Sequence, residues 1–254
     1  PLLDKNNHRG VGDIWKNAKN VDLAASMQSL YEQEFLKLID MCKHKNLVIM
    51  GGCALNCVAN SKIKGKNIWI MPSPGDAGSS LGAAALVQKK KLKWKNPYLG
   101  HDIKIGVNPR RVVDELLSRQ ICGVAHGKAE FGPRALGNRS ILCDASYPDM
   151  KHIINAKVKG REWFRPFAPV CRLEDVNEYF ETKEHEHFNN LEFMSFAVKV
   201  RDKYKNKLKS ITHVDGTARI QTVTRKQNAF LYDLLTKFKS VKPYLGSYDT
   251  PECS

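Results

Sequence analysis

Apolar positions in the first hundred residues predict alternating helices and strands. Helical spacing starts behind a polar opening, and two short apolar runs follow, each ended by Gly or Pro. The predicted elements are a helix from Asp22 to about residue 43, strands at 47–50 and 67–71, a helix at about 54–63, and a small-residue helix from Asp76 or Ser79 through residue 86. This alternation is typical of an α/β protein.

The remainder of the chain mixes helices and strands without a strict βαβ rhythm. A basic stretch at residues 88–100 ends in a Pro-containing turn, so a domain boundary is predicted between residues 96 and 97. The predicted helices are 109–119 (capped by Asn108 and Pro109), 150–158, 174–180 and 226–238; the predicted strands are 121–125, 140–143, 167–171, 194–200 and 219–223. Little structure is expected at residues 242–247.

Charge directs attention to anionic ligands. The 254 residues carry 41 Lys and Arg against 26 Asp and Glu, a net charge of +15. Such an excess attracts nucleic acid or phosphorylated small molecules, although the basic runs at 89–95 and 199–209 are equally typical of solvated surfaces. With no signal peptide and no apolar run of about 18 residues, a soluble cytoplasmic protein without a membrane partner is expected. Seven Cys without a Cys-x-x-Cys pair indicate reduced thiols.

Two glycine-rich turns are candidate ligand sites. Gly51, Gly52 and Asn56 lie between a predicted strand and a predicted helix, where backbone N–H groups reach phosphates or nucleotides; a plain tight turn is the alternative. Asp76, flanked by Gly75 and two residues before Gly78, is placed to hold a metal or a ribose. An ordinary helix cap explains Asp76 equally well.

Residues 126–142 are the richest in candidate chemistry. Arg134 and Arg139 lie five apart among Gly and Asn, ahead of an apolar run. Because guanidinium groups bind phosphate and carboxylate through two parallel hydrogen bonds, this spacing indicates an anion site. Glu130 is expected to orient one of the two guanidinium groups.

Four cations in residues 155–169 are interleaved with aromatics. A basic helix face and an RNA groove with stacking aromatics are both compatible with the pattern. The aromatics are assigned to the core, because Phe167 leads directly into a predicted strand. Cations beside core aromatics then indicate a partly desolvated pocket. The cations are Lys157, Lys159, Arg161 and Arg165.

Residues 212–221 contain a strong turn signal, Asp215-Gly216, between two strand-like runs. A plain hairpin is one interpretation. The other brings His213, Asp215 and Arg219 into one pocket.

Together, five ordered motifs resemble the nodulation-type and antibiotic-tailoring O-carbamoyltransferases, over about residues 22–223. The motifs are 51–56, 74–82, 131–140, 157–169 and 213–221. The resemblance implies part of an actin/hexokinase-like lobe, residues 1–96, followed by a YrdC-like twisted α/β sheet domain, residues 97–254, incomplete at its C-terminus. It implies that carbamoyl phosphate and ATP give carbamoyl-adenylate and pyrophosphate, and that the carbamoyl group then passes to a hydroxyl of a small-molecule acceptor.

The resemblance also assigns roles to the candidate residues. It implies ATP as cofactor with a divalent metal, iron or magnesium, bound by Asp76. The implied catalytic residues are Arg134, Arg139, Lys157, Arg161, Arg165 and His213. The implied nucleotide contacts are Gly51, Gly52, Asn56, Asn138, Ser140, Lys159, Asp215 and Arg219.

The chain departs from this pattern at both ends. The family's His-x-x-x-His pair has no counterpart ahead of Gly51, and only residues 245–250 stand where the family has an Asn-Thr-Ser-Phe-Asn-like strand. A fragment of a longer enzyme is therefore expected, with self-association through its exposed partner surface. Two alternatives stay open: a YrdC-like RNA-binding module related to tRNA modification, and an inactive nucleotide-binding fragment.

Overall fold

The structure, a computed structural model, describes residues 15–182, 188–242 and 246–249. The chain forms two compact units, residues 1–45 and 46–254. The first unit contains helix α1 (Asn20–Met41), in which the rings of Tyr31 and Phe35 stack one turn apart with centroids separated by 5.4 Å. The predicted helix is thus confirmed, although it starts before Asp22. The boundary predicted at residues 96 and 97 falls within the second unit and stays a prediction.

The second unit holds the other described elements. Its helices are α2 (Cys57–Asn60), α3 (Asp76–Gln88), α4 (Pro109–Arg119), α5 (Met150–Ile153), α6 (Val176–Tyr179), α7 (Asp202–Lys205) and α8 (Ala229–Val241). Its strands are β1 (Asn46–Ile49), β2 (Asn67–Ile70), β3 (Asp102–Ile103), β4 (Ile121–Ala125), β5 (Gly127–Lys128), β6 (Arg139–Asp144), β7 (Ala168–Arg172), β8 (Phe180–Glu181), β9 (Ala197–Val200), β10 (Thr217–Arg219), β11 (Gln221–Val223) and β12 (Gly246–Asp249).

The strands of the described residues form four small sheets. β1 and β2 pair in parallel, and β3 pairs with β5 antiparallel. The largest sheet is mixed, in the order β11-β7-β12-β6-β4, and an antiparallel sheet has the order β10-β9-β8. The α/β class predicted from the alternation is confirmed.

Helices α4 and α8 cover the five-stranded sheet and enclose the main core. Asn108 caps α4 by accepting the N–H of Arg110 at 2.9 Å, with Pro109 as the first helical residue. Asn228 caps α8 in the same way, accepting the N–H of Leu231 at 3.0 Å. Both caps satisfy donors that a helix leaves unpaired at its N-terminus. The core side chains include Val113, Leu116, Leu136, Leu142, Val170, Leu231, Leu234 and Phe238.

Several sequence predictions are corrected. The helix expected at 54–63 is a 3₁₀ turn, Gly52–Leu55, followed by the short α2. The helix expected at 150–158 turns π-helical over Ile154–Lys159 and ends at Gly160, whose φ of 56° is left-handed. The strand expected at 194–200 begins at Ala197, because Met194 has a φ of 58° that no strand accommodates.

Two further corrections concern sheet membership. The single strand expected at 219–223 is two strands, since the chain leaves one sheet at Arg219 and enters another at Gln221. Residues 246 and 247, where little structure was expected, belong to β12 (Gly246–Asp249), which lies between β6 and β7. Residues 245 and 250 lie outside the described residues. No helix within the described ranges is long and apolar enough to span a bilayer.

Candidate functional site

Three glycine-containing loops meet at the end of the β1-β2 sheet. The Gly51 N–H donates to the Pro74 carbonyl at 2.7 Å, and a Cβ on Gly75 would lie 3.7 Å from the Cα of Gly52. On the other side, a Cβ on Gly132 would lie 2.8 Å from the Pro72 carbonyl oxygen. The structure therefore brings three of the five motifs together. A Cβ on Gly51 or Gly52 would meet no atom within 4 Å, so there is open space beside this turn.

The predicted nucleotide contact Asn56 caps α2, because its Oδ1 accepts the Ala59 N–H at 3.1 Å. The capping interaction fixes the helix that carries Cys57.

Arg139 is held almost entirely by backbone oxygens. Its Nη1 donates to the carbonyls of His126 at 2.9 Å and Asn138 at 2.8 Å, and its Nη2 donates to those of His101 at 2.9 Å and Gly127 at 3.0 Å. A guanidinium has five N–H donors, so these four bonds leave little capacity for a phosphate. The catalytic role of Arg139 stays a prediction, and its contacts are those of a residue that fixes a loop.

The loop fixed in this way, residues 131–139, is named the arch. Glu130 closes it from inside: its Oε1 accepts the N–H groups of Leu136 at 2.6 Å, Asn138 at 2.7 Å and Arg139 at 3.3 Å. Glu130 was expected to orient a guanidinium, whereas these contacts make it the hydrogen-bond acceptor of the arch backbone.

Asn138 and Ser140 also serve the arch. Asn138 donates to the Lys128 carbonyl at 2.8 Å and accepts from Asn228 at 2.9 Å. Ser140 Oγ accepts the Gly137 N–H at 3.0 Å. Both side chains are buried, so their predicted nucleotide contacts would compete with these internal bonds.

Arg134, in contrast, acts electrostatically on the first residue of α2, as do residues of β10 and of the turn at residues 213–217, which is named the β10 turn. Burial raises the pKa of the Cys57 thiol, and the charges of Arg219 and Arg134 oppose that rise, while Asp215 adds to it. All three charged groups are therefore within electrostatic range of Cys57. Arg134, Asp215 and Arg219 thus lie around Cys57, and Asp215 and Arg219 also act on the pKa of His213. We name these four residues, Arg134, His213, Asp215 and Arg219, the cation cluster.

His213 contributes a proton acceptor to the cation cluster. Thr217 Oγ1 donates to Asp215 at 2.7 Å, so the 3.1 Å contact of His213 Nδ1 with that hydroxyl requires a hydrogen on Nδ1. Burial lowers the pKa of His213, with Asp215 opposing and Arg219 and Lys151 reinforcing the decrease. The imidazole is thus neutral with a bare Nε2, which is shielded from solvent and has no hydrogen-bond partner among the described residues.

The predicted cations of residues 157–165 make local contacts. Arg161 donates through Nε to Asn155 Oδ1 at 2.7 Å and lies over the Phe167 ring, 4.9 Å from its centroid. Arg165 pairs with Glu162 at 2.8 Å. Lys157 is exposed. These contacts order the segment that follows α5. Lys151, in α5, is within electrostatic range of His213.

The core assignment of the aromatics in this segment is wrong for two of the three. Phe167 is buried at 1% exposure, as expected, but Trp163 is 74% and Phe164 56% exposed, with their rings packed edge to face. The chain reverses at Gly160 before entering β7, so only the residues next to the strand reach the core.

Asp76 is exposed at the first position of α3. No group of three or more His, Cys, Asp and Glu side chains in the described parts of the chain is arranged to hold a metal ion. Iron requires several protein ligands, whereas Mg²⁺ is bound through as few as one carboxylate together with substrate phosphates. The iron or magnesium site implied for Asp76 stays a prediction.

Sequence reasoning missed Cys57 and Lys151. Each lies within electrostatic range of at least one residue of the cation cluster. Cys57 follows the motif 51–56 directly, so its position was the only available signal. Lys151 is one of many lysines, and only the three-dimensional arrangement distinguishes it.

Comparison with known proteins supplies the family. The carbamoyltransferase C-terminus family matches residues 113–245, and the carbamoyltransferase N-terminus family matches residues 5–85. The nodulation protein NolO of Bradyrhizobium diazoefficiens is 35% identical over 252 residues, which cover 86% of this chain and 46% of that protein. The 3'-hydroxymethylcephem-O-carbamoyltransferase of Streptomyces clavuligerus is 35% identical over 213 residues, covering 76% of this chain and 39% of that protein.

The nodulation protein NolNO of Sinorhizobium fredii is 36% identical over 253 residues, or 86% of this chain and 37% of that protein. The chain thus spans less than half the length of these relatives. Both family matches flank the predicted domain boundary, and together they run through all five motifs. This chain belongs to the carbamoyltransferase family.

Proposed function

We propose that this chain is part of an ATP-dependent O-carbamoyltransferase and carries its carbamoyl-activating chemistry. The single observation that carries the proposal is the cation cluster: Arg134 and Arg219 both act on Cys57, Arg219 also acts on His213, and the neutral imidazole of His213 has a bare Nε2. Its ligands are carbamoyl phosphate and ATP, and the carbamoyl acceptor is a hydroxyl-bearing small molecule. Family membership supports the transfer of a carbamoyl group.

The chemistry requires charge neutralisation and one base. Both substrates are polyanionic, so the two guanidinium groups reduce the repulsion between their phosphates and hold them in place. For the atoms to balance, carbamoyl phosphate, ATP and water give carbamoyl-adenylate, pyrophosphate and phosphate. In our proposal His213 Nε2 accepts the proton of that water, because a general base must be unprotonated at the working pH.

The residues around the cluster then position it. Glu130 and Arg139 fix the arch that carries Arg134, and Asp215 fixes Thr217 and, through it, the His213 tautomer. The Gly51 N–H is bonded to the Pro74 carbonyl, so in our proposal a nucleotide phosphate occupies the open space beside Gly52. We derive no step from a metal, since Asp76 lacks companion ligands among the described residues.

In architecture, the proposal assigns residues 1–96 to the second lobe of an actin-like carbamoyl-transfer domain and residues 97–254 to a YrdC-like domain. The described sheets are mixed and small, which supports the α/β class alone. We place the reaction in the cytoplasm, where ATP is supplied.

The test is carbamoyl-phosphate-dependent exchange of labelled pyrophosphate into ATP by the purified chain. We expect exchange in the wild type, a loss of at least about 100-fold in Arg134→Gln, and no change in Arg225→Gln on the exposed surface, whose side chain is 70% accessible. Absence of both exchange and carbamoyl phosphate binding would contradict the proposal. ATP binding without exchange would instead identify an inactive nucleotide-binding fragment.

A second candidate is an RNA-binding module, favoured by the exposed Trp163 and Phe164 next to Lys157, Lys159 and Arg165. Stacking aromatics beside cations bind single-stranded RNA with steep salt dependence. Tight RNA binding that weakens with salt and is lost in Trp163→Ala, in a chain without exchange, would replace the first proposal by this one.

A further inference from the structure

A cavity of about 390 Å³ lies at the start of helix α8, and three basic side chains line it. We name it the basic cavity. Its basic side chains are Lys95, His126 and Lys128, and no Asp or Glu of the described ranges lines it. Its volume is within the range of small-molecule sites in proteins. A concave wall with charges of one sign attracts ligands of the opposite sign, so the basic cavity favours an anion.

The two lysines of the basic cavity keep their charge available for a ligand. Neither ammonium group forms an ion pair with a carboxylate of the described residues. Lys128 lies opposite Asp102 in the β3-β5 pair, yet no salt bridge joins these two side chains. Burial raises the pKa of Tyr98 in the cavity wall, and the carboxylates of Glu130 and Glu192 add to that rise, but neither carboxylate lines the cavity.

The neutral polar side chains that line the basic cavity form a fixed hydrogen-bond network. Asn228 Nδ2 donates to the Tyr98 hydroxyl at 3.1 Å and to Asn138 Oδ1 at 2.9 Å. Tyr98 in turn donates to the Leu136 carbonyl at 2.9 Å, and Asn138 Nδ2 donates to the Lys128 carbonyl at 2.8 Å. These bonds tie the start of α8 to the backbone of Lys128. The cavity is therefore preformed, which reduces the ordering that binding requires.

Helix α8 adds two backbone donors to these cations. The Asn228 side chain accepts the Leu231 N–H, so the N–H groups of Ala229 and Phe230 have no hydrogen-bond partner among the described residues. Both residues line the basic cavity, and the first N–H groups of a helix point out of its N-terminus, where they bind anions. Phe230 also fixes His126 in the wall, because the two rings stack with centroids 4.3 Å apart.

We propose that the basic cavity binds the phosphate group of a small phosphorylated metabolite. A phosphate presents three oxygens that accept charge-assisted hydrogen bonds, which suits two ammonium groups, an imidazole and two backbone N–H groups. The remaining volume accommodates the body of the metabolite beside Asn96 and Leu99. None of the four residues of the cation cluster lines this cavity, so the site goes beyond the proposed function and does not rest on it.

The test is an NMR titration of the isotope-labelled full chain with inorganic phosphate, glycerol 3-phosphate and glycerol. The backbone amide signals of Ala229 and Phe230 report on the basic cavity itself, so phosphate bound at the cation cluster is not mistaken for binding here. We expect both signals to shift with the two phosphates and to stay unchanged with glycerol. Glycerol 3-phosphate should bind at least as tightly as inorganic phosphate, because its body also contacts the cavity wall.

Lys128→Gln and Lys95→Gln each remove one exposed charge and should weaken phosphate binding at these two amides about tenfold. Lys237→Gln, exposed at the other end of α8, is the matched control and should leave the affinity unchanged. Arg134→Gln, in the cation cluster, should also leave it unchanged, so the two proposals can fail separately. Absence of shifts at both amides with either phosphate, shifts with glycerol alone, or wild-type affinity in both cavity variants would overturn the proposal.

Discussion

The arch, together with Glu130 beside it, and the β10 turn both contain charged side chains, but these side chains make different hydrogen bonds. In the arch, Glu130 and Arg139 direct their polar atoms at backbone groups of the same region. In the β10 turn, Asp215 and Thr217 hold His213 so that its Nε2 stays bare and shielded. Buried polar groups without partners are uncommon in folded proteins, and each calls for an explanation such as an ordered water, a ligand or a catalytic role.

This difference separates residues that stabilise the fold from residues that are placed to take part in a reaction. Arg139 contributes the hydrogen bonds of four carbonyls, so its removal is expected to affect folding first. His213 contributes little to folding, because burying an unpaired nitrogen is unfavourable.

The largest expected effect on stability belongs to Arg139→Met. Four carbonyls lose their donor, and we expect the free energy of unfolding to fall by about 3 kcal/mol. Urea unfolding followed by circular dichroism measures it. Arg225→Met, at an exposed position, serves as control and should change the free energy by less than about 0.5 kcal/mol. Equal stabilities of the two variants would show that the four hydrogen bonds of Arg139 do not stabilise the fold.

A smaller effect is expected from Gly132→Ala. Gly132 has a φ of 141°, and the new Cβ would lie 2.8 Å from the Pro72 carbonyl oxygen. The strain should cost about 2 kcal/mol. Gly82→Ala in α3 is the control, because a Cβ there meets nothing within 4 Å and should stabilise the helix by about 0.5 kcal/mol. Thermal unfolding of both variants gives the two signs.

A partly buried ionic network with no predicted chemistry should stabilise the fold as the arch does. Asp175 accepts from Arg172 at 2.6 Å and from Lys239 at 2.8 Å, and although burial acts to raise the pKa of Asp175, these bonds hold it below its ordinary 3.8. A lowered folded pKa contributes stability that is present above the unfolded pKa and is lost as pH falls through the folded one. Asp175→Asn should therefore destabilise by about 2 kcal/mol at pH 7 and less near pH 3; a pH-independent difference would refute this cause.

The smallest effect on stability is expected from His213→Phe. The ring keeps its volume and the unpaired Nε2 disappears, so the free energy of unfolding at pH 7 should change by less than about 1 kcal/mol. Because burial lowers the pKa of His213 below 6.5, the wild type loses stability as pH falls below that value, when the unfolded chain binds the proton first. The variant should thus gain on the wild type between pH 6.5 and 5. Urea midpoints at both pH values measure this. A variant that becomes less stable relative to the wild type between pH 6.5 and pH 5 would contradict it.

Local patterns predicted much of the fold. Asn108 and Pro109 set the start of α4, and the apolar run 121–125 became β4 with the expected bounds. Long-range pairing decided the rest. Nothing in residues 219–223 indicates that neighbouring residues enter different sheets, and β12 forms only because β6 and β7 flank it.

The residue types of the site were predictable from the sequence. Which of them stabilise the arch and which are available to a ligand was not. Arg134 and Arg139 look equivalent in sequence, and only the positions of four carbonyls distinguish them. Lys151 lies within electrostatic range of His213, and nothing in the sequence around Lys151 indicated this position.

The most direct test of this division is the rate of pyrophosphate exchange per folded molecule in His213→Phe and Arg139→Met. The account predicts that His213→Phe folds as the wild type does and exchanges at least about 100-fold more slowly. It predicts that Arg139→Met loses exchange mainly in proportion to its unfolded fraction. Wild-type exchange in folded His213→Phe, together with a fully folded but inactive Arg139→Met, would contradict it.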